Sequence, residues 1–185
     1  MKRHELTLML CEGAIFVAAA LALSYLKIPM GVSFGGFGGS VDLVMLPLLV
    51  FAVRRGCGRG CMAGLLFGTL KFFLAGGTAV NWQSMLLDYT LAYGAVGLGG
   101  LMRGRHALLC GTLLGCFGRF VIHFISGITI YAAYMPEKFM SMTMLSPWIY
   151  SLLYNGSYML PNTVLAAVLA AILEKALAKY LRRDI

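Results

Sequence analysis

Long apolar segments follow one another along almost the whole chain, separated by short polar or glycine-rich connections. Crossing the hydrocarbon core of a bilayer takes about twenty residues of helix, and most of these segments reach that length. The second is shorter, which indicates a tilted or partly re-entrant path. The pattern predicts an all-α integral membrane protein, a single domain over residues 1–185 with six transmembrane helices at roughly 6–27, 41–55, 59–76, 83–102, 107–134 and 147–180. Pro47 and Pro161 fall inside two of these helices and predict kinks.

The composition, 60% hydrophobic and 12% charged, is not that of a soluble domain. A formal net charge of +8 would suggest nucleic acid as a partner for a soluble protein, but its placement here has another explanation. Most of the cations lie at the same ends of the predicted helices, and the positive-inside rule assigns that side to the cytoplasm. We therefore expect a multi-pass protein with both termini in the cytoplasm and no nucleic-acid partner. Eleven of the fifteen cations lie on that side: Lys2, Arg3, Arg54, Arg55, Arg59, Arg103, Arg105, Lys175, Lys179, Arg182 and Arg183.

The first outer connection, Gly31 to Ser40, contains five glycines together with Phe34 and Phe37. Glycine-rich backbone is mobile and can approach a ligand closely. This connection is therefore predicted to be a lid, and the alternative is a loop with incidental aromatic residues. Trp82 lies in the next outer connection and could close over the same face.

Aromatic residues are concentrated on the outer side. Both tryptophans, Trp82 and Trp148, and every tyrosine except Tyr180 lie in the outer half or near the midplane. An interfacial belt alone would favour the two sides about equally. The one-sided distribution indicates an outward-facing aromatic pocket, suited to a planar heterocycle and to cation–π contact with a cationic one.

Polar residues inside the apolar segments indicate where a ligand could be held, because each would cost free energy against lipid. Asp88 either pairs with Arg119 or supplies the counter-charge of a cationic ligand, and both can hold at once. Arg119 and His123 are four residues apart on one helix face; we expect Arg119 to be structural and His123 to line the site. Asn155 offers a donor and an acceptor suited to an aminopyrimidine-like edge, and Tyr150 can converge on the same pocket.

Other ionic and small residues have simpler explanations. Glu12 is interpreted as a snorkelling or helix-packing carboxylate, and Lys71 as a side chain that snorkels outward. Ala14 and Ala18 form a small-residue surface that permits close helix approach, for which internal packing is the default. The chain lacks the phosphate-loop and hydrolase motifs, so ATP-driven transport would need an ATPase on another chain. We expect no metal site and no cofactor.

Four stretches of the chain resemble the thiamine-specific substrate-binding component, or S component, of energy-coupling factor vitamin transporters. They read GGSVDLVMLPLLVFAVRRG (38–56), LLDYTLAYGAVGLGG (86–100), GRFVIHFISGITIYAAYMP (118–136) and SPWIYSLLYNGSYMLP (146–161). The resemblance implies a six-helix bundle in a bacterial plasma membrane that binds thiamine on its outer side. It also implies two kinds of partner, a transmembrane coupling subunit and two cytoplasmic ATPase subunits.

Carried over position by position, the resemblance assigns ligand contacts. Asp88 falls at the acidic position that faces the cationic thiazolium ring, and Tyr89 follows it as in the family. His123 matches the histidine of an H-x-x-S-G motif. Tyr150 and Asn155 match the Tyr-x4-Asn pair that holds the pyrimidine ring.

The resemblance also covers less direct contacts. Tyr131 stands where a family member can carry tryptophan, which implies weaker stacking in this chain. The aromatic residue of the outer loops would be Phe34, Phe37 or Trp82. Ala14 and Ala18 match the motif through which the first helix docks onto the coupling subunit.

The leading interpretation is a thiamine-binding transporter subunit that is not an enzyme. A second keeps the transporter class but changes the ligand to a precursor or analogue such as hydroxymethylpyrimidine, whose neutral ring has no need of Asp88. A third is a membrane enzyme that uses Asp88 and His123 as an acid–base pair. A stand-alone facilitator is disfavoured in so short a chain without a visible repeat.

Overall fold

The computed structural model describes residues 3–29 and 39–181, and most of them are helical. A π-helical segment, Leu86–Leu91, joins two of the shorter α-helices, and 3-10 turns follow at Gly97–Leu101 and Tyr131–Tyr134. The α-helices are α1 (Arg3–Leu23), α2 (Met45–Arg55), α3 (Cys57–Leu74), α4 (Trp82–Met85), α5 (Ala92–Val96), α6 (Ala107–Thr129), α7 (Pro147–Ala176) and α8 (Ala178–Leu181).

Two short antiparallel hairpins interrupt the helical chain, so the prediction of an all-α fold is incomplete. Strand β1 (Lys27–Pro29) pairs with β2 (Ser40–Asp42), and β3 (Lys138–Phe139) pairs with β4 (Met142–Thr143). The first hairpin takes the end of the first predicted helix and the start of the second. Helix α1 consequently ends at Leu23 instead of residue 27, and α2 begins at Met45 instead of residue 41.

Four of the described helices, α1, α3, α6 and α7, are long and apolar enough to cross a membrane. Helix α2 has only 11 residues, which agrees with the short second segment in the sequence. The fourth predicted helix is a composite of α, π and 3-10 turns between Trp82 and Leu101. The count of six transmembrane helices and the side on which the termini lie therefore stay predictions.

The two prolines occupy different positions in their helices. Pro47 is the third residue of α2. The first four amides of a helix have no intrahelical partner, so the reason for expecting a kink there does not apply. Pro161 lies inside α7, as predicted.

Close backbone contacts hold the segment Leu86–Leu101 against α3. Gly64 and Gly68 are one turn apart on α3 and face this segment. A Cβ atom on Gly64 would lie 2.1 Å from the carbonyl oxygen of Tyr93, and one on Gly68 would lie 2.2 Å from that of Tyr89. Only glycine permits so close an approach. Their four-residue spacing is visible in the sequence.

The apolar core lies between these helices, below the β1–β2 hairpin. Buried side chains of α1, α2, α3, α5, α6 and α7 contribute to it, including Leu48, Leu49, Phe67, Val96 and Leu108. The core separates two polar regions, one beside the hairpin and one at the opposite end of the molecule.

The polar cluster at the opposite end joins three helices. Glu12 of α1 pairs with Arg54 of α2, with 2.7 Å between its Oε1 and the arginine Nε. It also pairs with Arg55 and accepts a hydrogen bond from the hydroxyl of Tyr180 in α8. Glu12 is therefore a helix-packing carboxylate, which was one of its two interpretations.

Candidate functional site

A cavity of about 520 Å³ lies between the β1–β2 hairpin and the ends of the helices beside it. This volume is in the range of roughly 300–1,000 Å³ typical of small-molecule sites. Its lining includes hairpin residues and side chains of α3, α6, α7 and the π segment. Six of the predicted ligand-binding residues line it: Asp88, Tyr89, His123, Tyr131, Tyr150 and Asn155.

Asp88 is presented by the π segment, a helical distortion often found at functional sites. Its Oδ1 lies 2.9 Å from Nδ1 of His123, and its Oδ2 accepts a hydrogen bond of 2.9 Å from the Ser126 hydroxyl. Both partners come from α6. The carboxylate is thus held in place from one side while it lines the cavity.

The hydrogen bonds of His123 assign its tautomer. Arg119 Nε donates to His123 Nε2 over 3.3 Å. An arginine side chain can only donate, so Nε2 is the acceptor and the ring hydrogen lies on Nδ1, facing Asp88. With the imidazole neutral, the negative charge of Asp88 is not cancelled by a histidine cation.

Arg119 does not form an ion pair with Asp88, which was one of the two interpretations of that carboxylate. Its Nη2 donates to the hydroxyl of Tyr93 over 3.1 Å, and its guanidinium lies 4.2 Å from the centre of that ring. The residue is buried and lines the cavity. Its Nη1 is buried without a hydrogen-bond partner among the residues that the structure describes.

Lys71 does not snorkel outward, and that prediction is wrong. The residue is only 7% exposed. Its Nζ donates to Asp42 Oδ2 over 3.2 Å and to the Tyr93 hydroxyl over 2.6 Å. A buried ammonium is tolerated when a carboxylate lies beside it, and Asp42 supplies that carboxylate.

Asn155 is fixed by a network within α6 and α7. Its amide Nδ2 lies 3.0 Å from the Ser151 carbonyl oxygen and 3.3 Å from that of His123. Its Oδ1 accepts a hydrogen bond of 2.7 Å from Tyr158. A Cβ atom on Gly127 would lie 2.1 Å from the Ser151 hydroxyl oxygen, so glycine is needed for this close packing of α6 on α7.

Tyrosines spaced four residues apart on α7 form an aromatic wall of the cavity. Tyr150 and Tyr154 are stacked with ring centres 5.6 Å apart, and Tyr158 meets Tyr154 edge-on at 5.9 Å. Phe139 of β3 packs against the Tyr150 ring at 5.4 Å. Such a wall suits a flat ring system.

Tyr131 and Tyr89 line the cavity from two other elements. Tyr131 lies in the 3-10 turn that follows α6. Burial, with a smaller contribution from the charge of Asp88, raises the pKa of its hydroxyl to about 12, so that it stays protonated. The Tyr89 hydroxyl accepts from the Thr78 amide over 2.9 Å.

The remaining predicted residues lie elsewhere. Trp82 is 67% exposed at the start of α4 and is not among the described residues that line the cavity. Phe34 and Phe37 lie outside the described residues. Ala14 and Ala18 are exposed on α1, away from the cavity.

Sequence reasoning missed several polar residues around the cavity. Asp42 was the one carboxylate of its apolar segment, and Asn162 is a buried amide far inside α7. Tyr93, Ser126 and Ser151 gave no signal that separates them from ordinary helix residues. Within residues 3–29 and 39–181, no group of three or more His, Cys, Asp and Glu side chains could hold a metal ion.

Comparisons with known proteins identify the family. The family model described as thiamine transporter protein matches residues 10–182. Thiamine transporter ThiT of Lacticaseibacillus paracasei is 32% identical over 190 residues, covering 94% of this chain and 90% of that protein. Thiamine transporter ThiT of Bacillus subtilis is 28% identical, covering 100% and 99%.

The fold agrees with this relationship. A solved structure of ThiT from Listeria monocytogenes aligns with a TM-score of 0.80 at 24% identity, over 96% of this chain and 98% of that one. At that identity the likeness concerns the fold alone. Because the family model spans most of the chain and the L. paracasei protein is 32% identical over nearly all of it, this chain belongs to the thiamine transporter family.

Proposed function

We propose that this protein is the thiamine-binding membrane subunit, the S component, of an ATP-driven energy-coupling factor importer. It captures thiamine on the outer face of the bacterial plasma membrane and delivers it through a coupling subunit and two ATPases. The observation that carries the proposal is the Asp88 carboxylate, fixed by His123 and Ser126 in the wall of an aromatic cavity.

The cavity offers a partner for each part of thiamine. Asp88 faces the cationic thiazolium ring, for which a desolvated carboxylate is a favourable neighbour. The tyrosine wall, with Tyr150 nearest the hairpin strand β3, stacks on the flat rings. Asn155 and Tyr150 hold the aminopyrimidine, and Tyr131 and Tyr89 complete the enclosure.

A second candidate ligand is a neutral precursor such as hydroxymethylpyrimidine. One observation favours it: the two buried cations, Lys71 and Arg119, are already matched in number by the carboxylates of Asp42 and Asp88. A neutral ligand preserves that balance, whereas thiamine adds a positive charge. Replacing Asp88 separates the two ligands, because only thiamine needs its charge.

Binding of thiamine to the purified protein is the direct test. Isothermal calorimetry or tryptophan fluorescence in detergent should show saturable binding without ATP or partner subunits. Asp88→Asn should weaken thiamine binding by about 2–4 kcal/mol, the cost of losing one side of a desolvated charge pair. Uncharged pyrimidine analogues should lose much less.

A matched control is Glu137→Gln, which removes an exposed carboxylate close to β3 at the same end of the molecule. It should leave thiamine affinity unchanged. Equal losses for charged and neutral ligands in Asp88→Asn would assign Asp88 a structural role. A folded protein that gives no response at saturating thiamine would refute the proposal.

The coupling part of the proposal rests on α1. This helix has the smallest buried share of the four membrane-length helices. Val17 and Ala20 are buried against the rest of the protein, whereas Ala14 and Ala18 are exposed. A surface of small side chains allows a partner helix to approach closely.

Replacing both Ala14 and Ala18 by tryptophan should abolish uptake and co-purification with the coupling subunit. Thiamine affinity should stay the same, because neither residue lines the cavity. The control is the double replacement of Val164 and Val168 by tryptophan, two exposed positions with the same spacing on α7. Continued transport by the α1 double variant would exclude this docking surface.

A further inference from the structure

A polar network, whose central residues Tyr93 and Lys71 have no part in the proposed binding role, leads from the cavity to the first hairpin. The Tyr93 hydroxyl accepts hydrogen bonds from two cations, Lys71 Nζ at 2.6 Å and Arg119 Nη2 at 3.1 Å. Lys71 continues to Asp42 on β2 over 3.2 Å. Arg119 continues to His123 over 3.3 Å. Because His123 contacts the ligand-facing carboxylate, the network connects opposite walls of the cavity.

The hairpin at the far end of this network is held mainly by polar contacts. Every residue of β1 is exposed, so little apolar burial stabilises it. Asn162 of α7 accepts from the Asp42 amide over 2.9 Å and donates to the Ser40 carbonyl oxygen over 2.6 Å. Hairpin residues in turn line the cavity. The position of this wall therefore depends on the hydrogen bonds made by Asp42 and its neighbours.

The central step of the network is unusual for a purely structural anchor. Two cations share one hydroxyl in a buried region, where their mutual repulsion is weakly screened. Lys71 and Asp42 alone could hold the hairpin. Since Tyr93 accepts from both cations, a shift of Arg119 changes the hydrogen bond that Lys71 makes.

Arg119 also has unused hydrogen-bonding capacity. Its Nη1 is buried and unpartnered among the described residues, although the residue lines the cavity. An unsatisfied buried donor is costly, so pairing it with a ligand group or a rearranged neighbour offsets part of that cost. Arg119 is therefore a member of the network whose contacts a bound ligand can change.

We propose that Tyr93 and Lys71 are positioning residues, which couple the occupancy of the site at Asp88 to the placement of the β1–β2 hairpin. A ligand bound at Asp88 orients His123 and Arg119. The new position of Arg119 changes the hydrogen bond between the Tyr93 hydroxyl and Lys71, and through Lys71 it changes the position of Asp42. A hairpin held in this way keeps its wall of the cavity closed around the ligand and slows ligand release. This inference takes from the proposed function only that the ligand is thiamine.

Tyr93→Phe tests this linkage because it removes the shared oxygen and keeps the ring. The ring packs edge-on against Phe67 at 4.7 Å, so the fold should persist. Hydrogen–deuterium exchange should be measured for peptides containing residues 27–29 and 40–42, with and without saturating thiamine. In the unaltered protein thiamine should slow exchange in these peptides.

In Tyr93→Phe, thiamine should still protect the α7 peptides of the site but no longer protect the hairpin. The dissociation constant should rise by about tenfold or more through faster dissociation, which corresponds to the loss of one hydrogen bond to a charged group. The matched control is Tyr180→Phe, since Arg54 lies 4.1 Å from that ring in the cluster at the opposite end. It should leave hairpin protection intact.

A second pair of variants covers the case in which Tyr93→Phe does not fold. Lys71→Met should abolish hairpin protection, and Lys71→Arg, which keeps a donor cation, should restore part of it. Undiminished hairpin protection in Tyr93→Phe or Lys71→Met overturns the inference, as does thiamine binding that leaves the hairpin of the unaltered protein unprotected.

If the proposed function is wrong, these experiments give a different result. Absence of thiamine binding to the unaltered protein refutes that function. The linkage is then decided by ligand-free exchange of the hairpin, which should be faster in Tyr93→Phe than in the unaltered protein. Equal ligand-free rates would overturn the linkage as well.

Discussion

Two ionic clusters of nearly the same composition lie at opposite ends of this molecule. Each contains two cations, a carboxylate and a tyrosine: the cavity-end cluster, or Asp42 cluster, consists of Lys71, Arg119, Asp42 and Tyr93, and the Glu12 cluster consists of Arg54, Arg55, Glu12 and Tyr180. In the cavity-end cluster, Arg119 lies 4.2 Å from the Tyr93 ring centre, and in the other Arg54 lies 4.1 Å from that of Tyr180. The hydrogen bonds differ, because the Tyr93 hydroxyl accepts from both cations of its cluster, whereas the Tyr180 hydroxyl donates to Glu12 and both arginines there pair with that carboxylate.

The surroundings of the two clusters differ. The Asp42 side chain has 0% exposure, whereas that of Glu12 has 14% and its arginine partners have 20–25%. Water therefore screens the Glu12 cluster, which joins the ends of three helices. The Asp42 cluster is desolvated and adjoins a cavity, so each of its members depends on the others for a counter-charge. The two clusters therefore differ more in burial than in composition.

The largest difference in stability is expected between the variants Asp42→Asn and Glu12→Gln. Asp42→Asn leaves the buried Lys71 without its counter-charge and should lower stability by about 3–5 kcal/mol. Glu12→Gln removes a partly exposed group and should cost about 1 kcal/mol. Thermal unfolding in detergent, followed by intrinsic fluorescence, measures both. Equal losses would show that burial does not distinguish the clusters.

A smaller effect is expected from the helix contact beside Tyr93. Gly64→Ala places a methyl group against the Tyr93 carbonyl oxygen and should destabilise by up to about 3 kcal/mol, because backbone must move to admit it. It should also weaken thiamine binding, since Tyr93 belongs to the cavity-end cluster. Gly58→Ala on the same helix is the control, because a Cβ there meets nothing within 4 Å.

Gly58→Ala should be neutral or slightly stabilising in the same unfolding measurement. If Gly64→Ala were equally harmless, the backbone contact between α3 and the Tyr93 segment would not support the cluster. The two substitutions add the same atom, so the difference between them reports the contact alone.

The smallest effect concerns salt. Raising the ionic strength from about 0.1 M to about 1 M shortens the screening length from about 10 Å to about 3 Å. The stability loss caused by Glu12→Gln should then shrink by about 0.5 kcal/mol, and that caused by Asp42→Asn should stay constant. A parallel change in both would indicate that water reaches the two clusters equally.

Much of the candidate site could be predicted because ionisable and amide groups are rare in membrane segments. Asp88, His123 and Asn155 stood out for that reason, and the structure brings all three to one cavity. Their roles in binding remain predictions. The family was also recognisable from the motifs around them, and the comparisons confirmed the family.

Lys71 shows why other features were not predictable. A lysine near a helix end ordinarily extends its ammonium toward water. Its actual partner, Asp42, is 29 residues away in the sequence, and no local rule connects them. The three-residue strands and the π segment of LLDYTL likewise arise from tertiary contacts, because such short segments have no distinctive periodicity.

The glycine contacts between α3 and the π segment have a consequence for how such a protein could change its ligand. Gly64 and Gly68 meet the carbonyl groups of Tyr93 and Tyr89, which every amino acid possesses. The backbone that presents Asp88 is thus located in part by contacts that do not depend on which side chains its own segment carries. Such contacts persist when a side chain of the π segment changes, so a cavity-facing residue there can be exchanged at less cost to the scaffold.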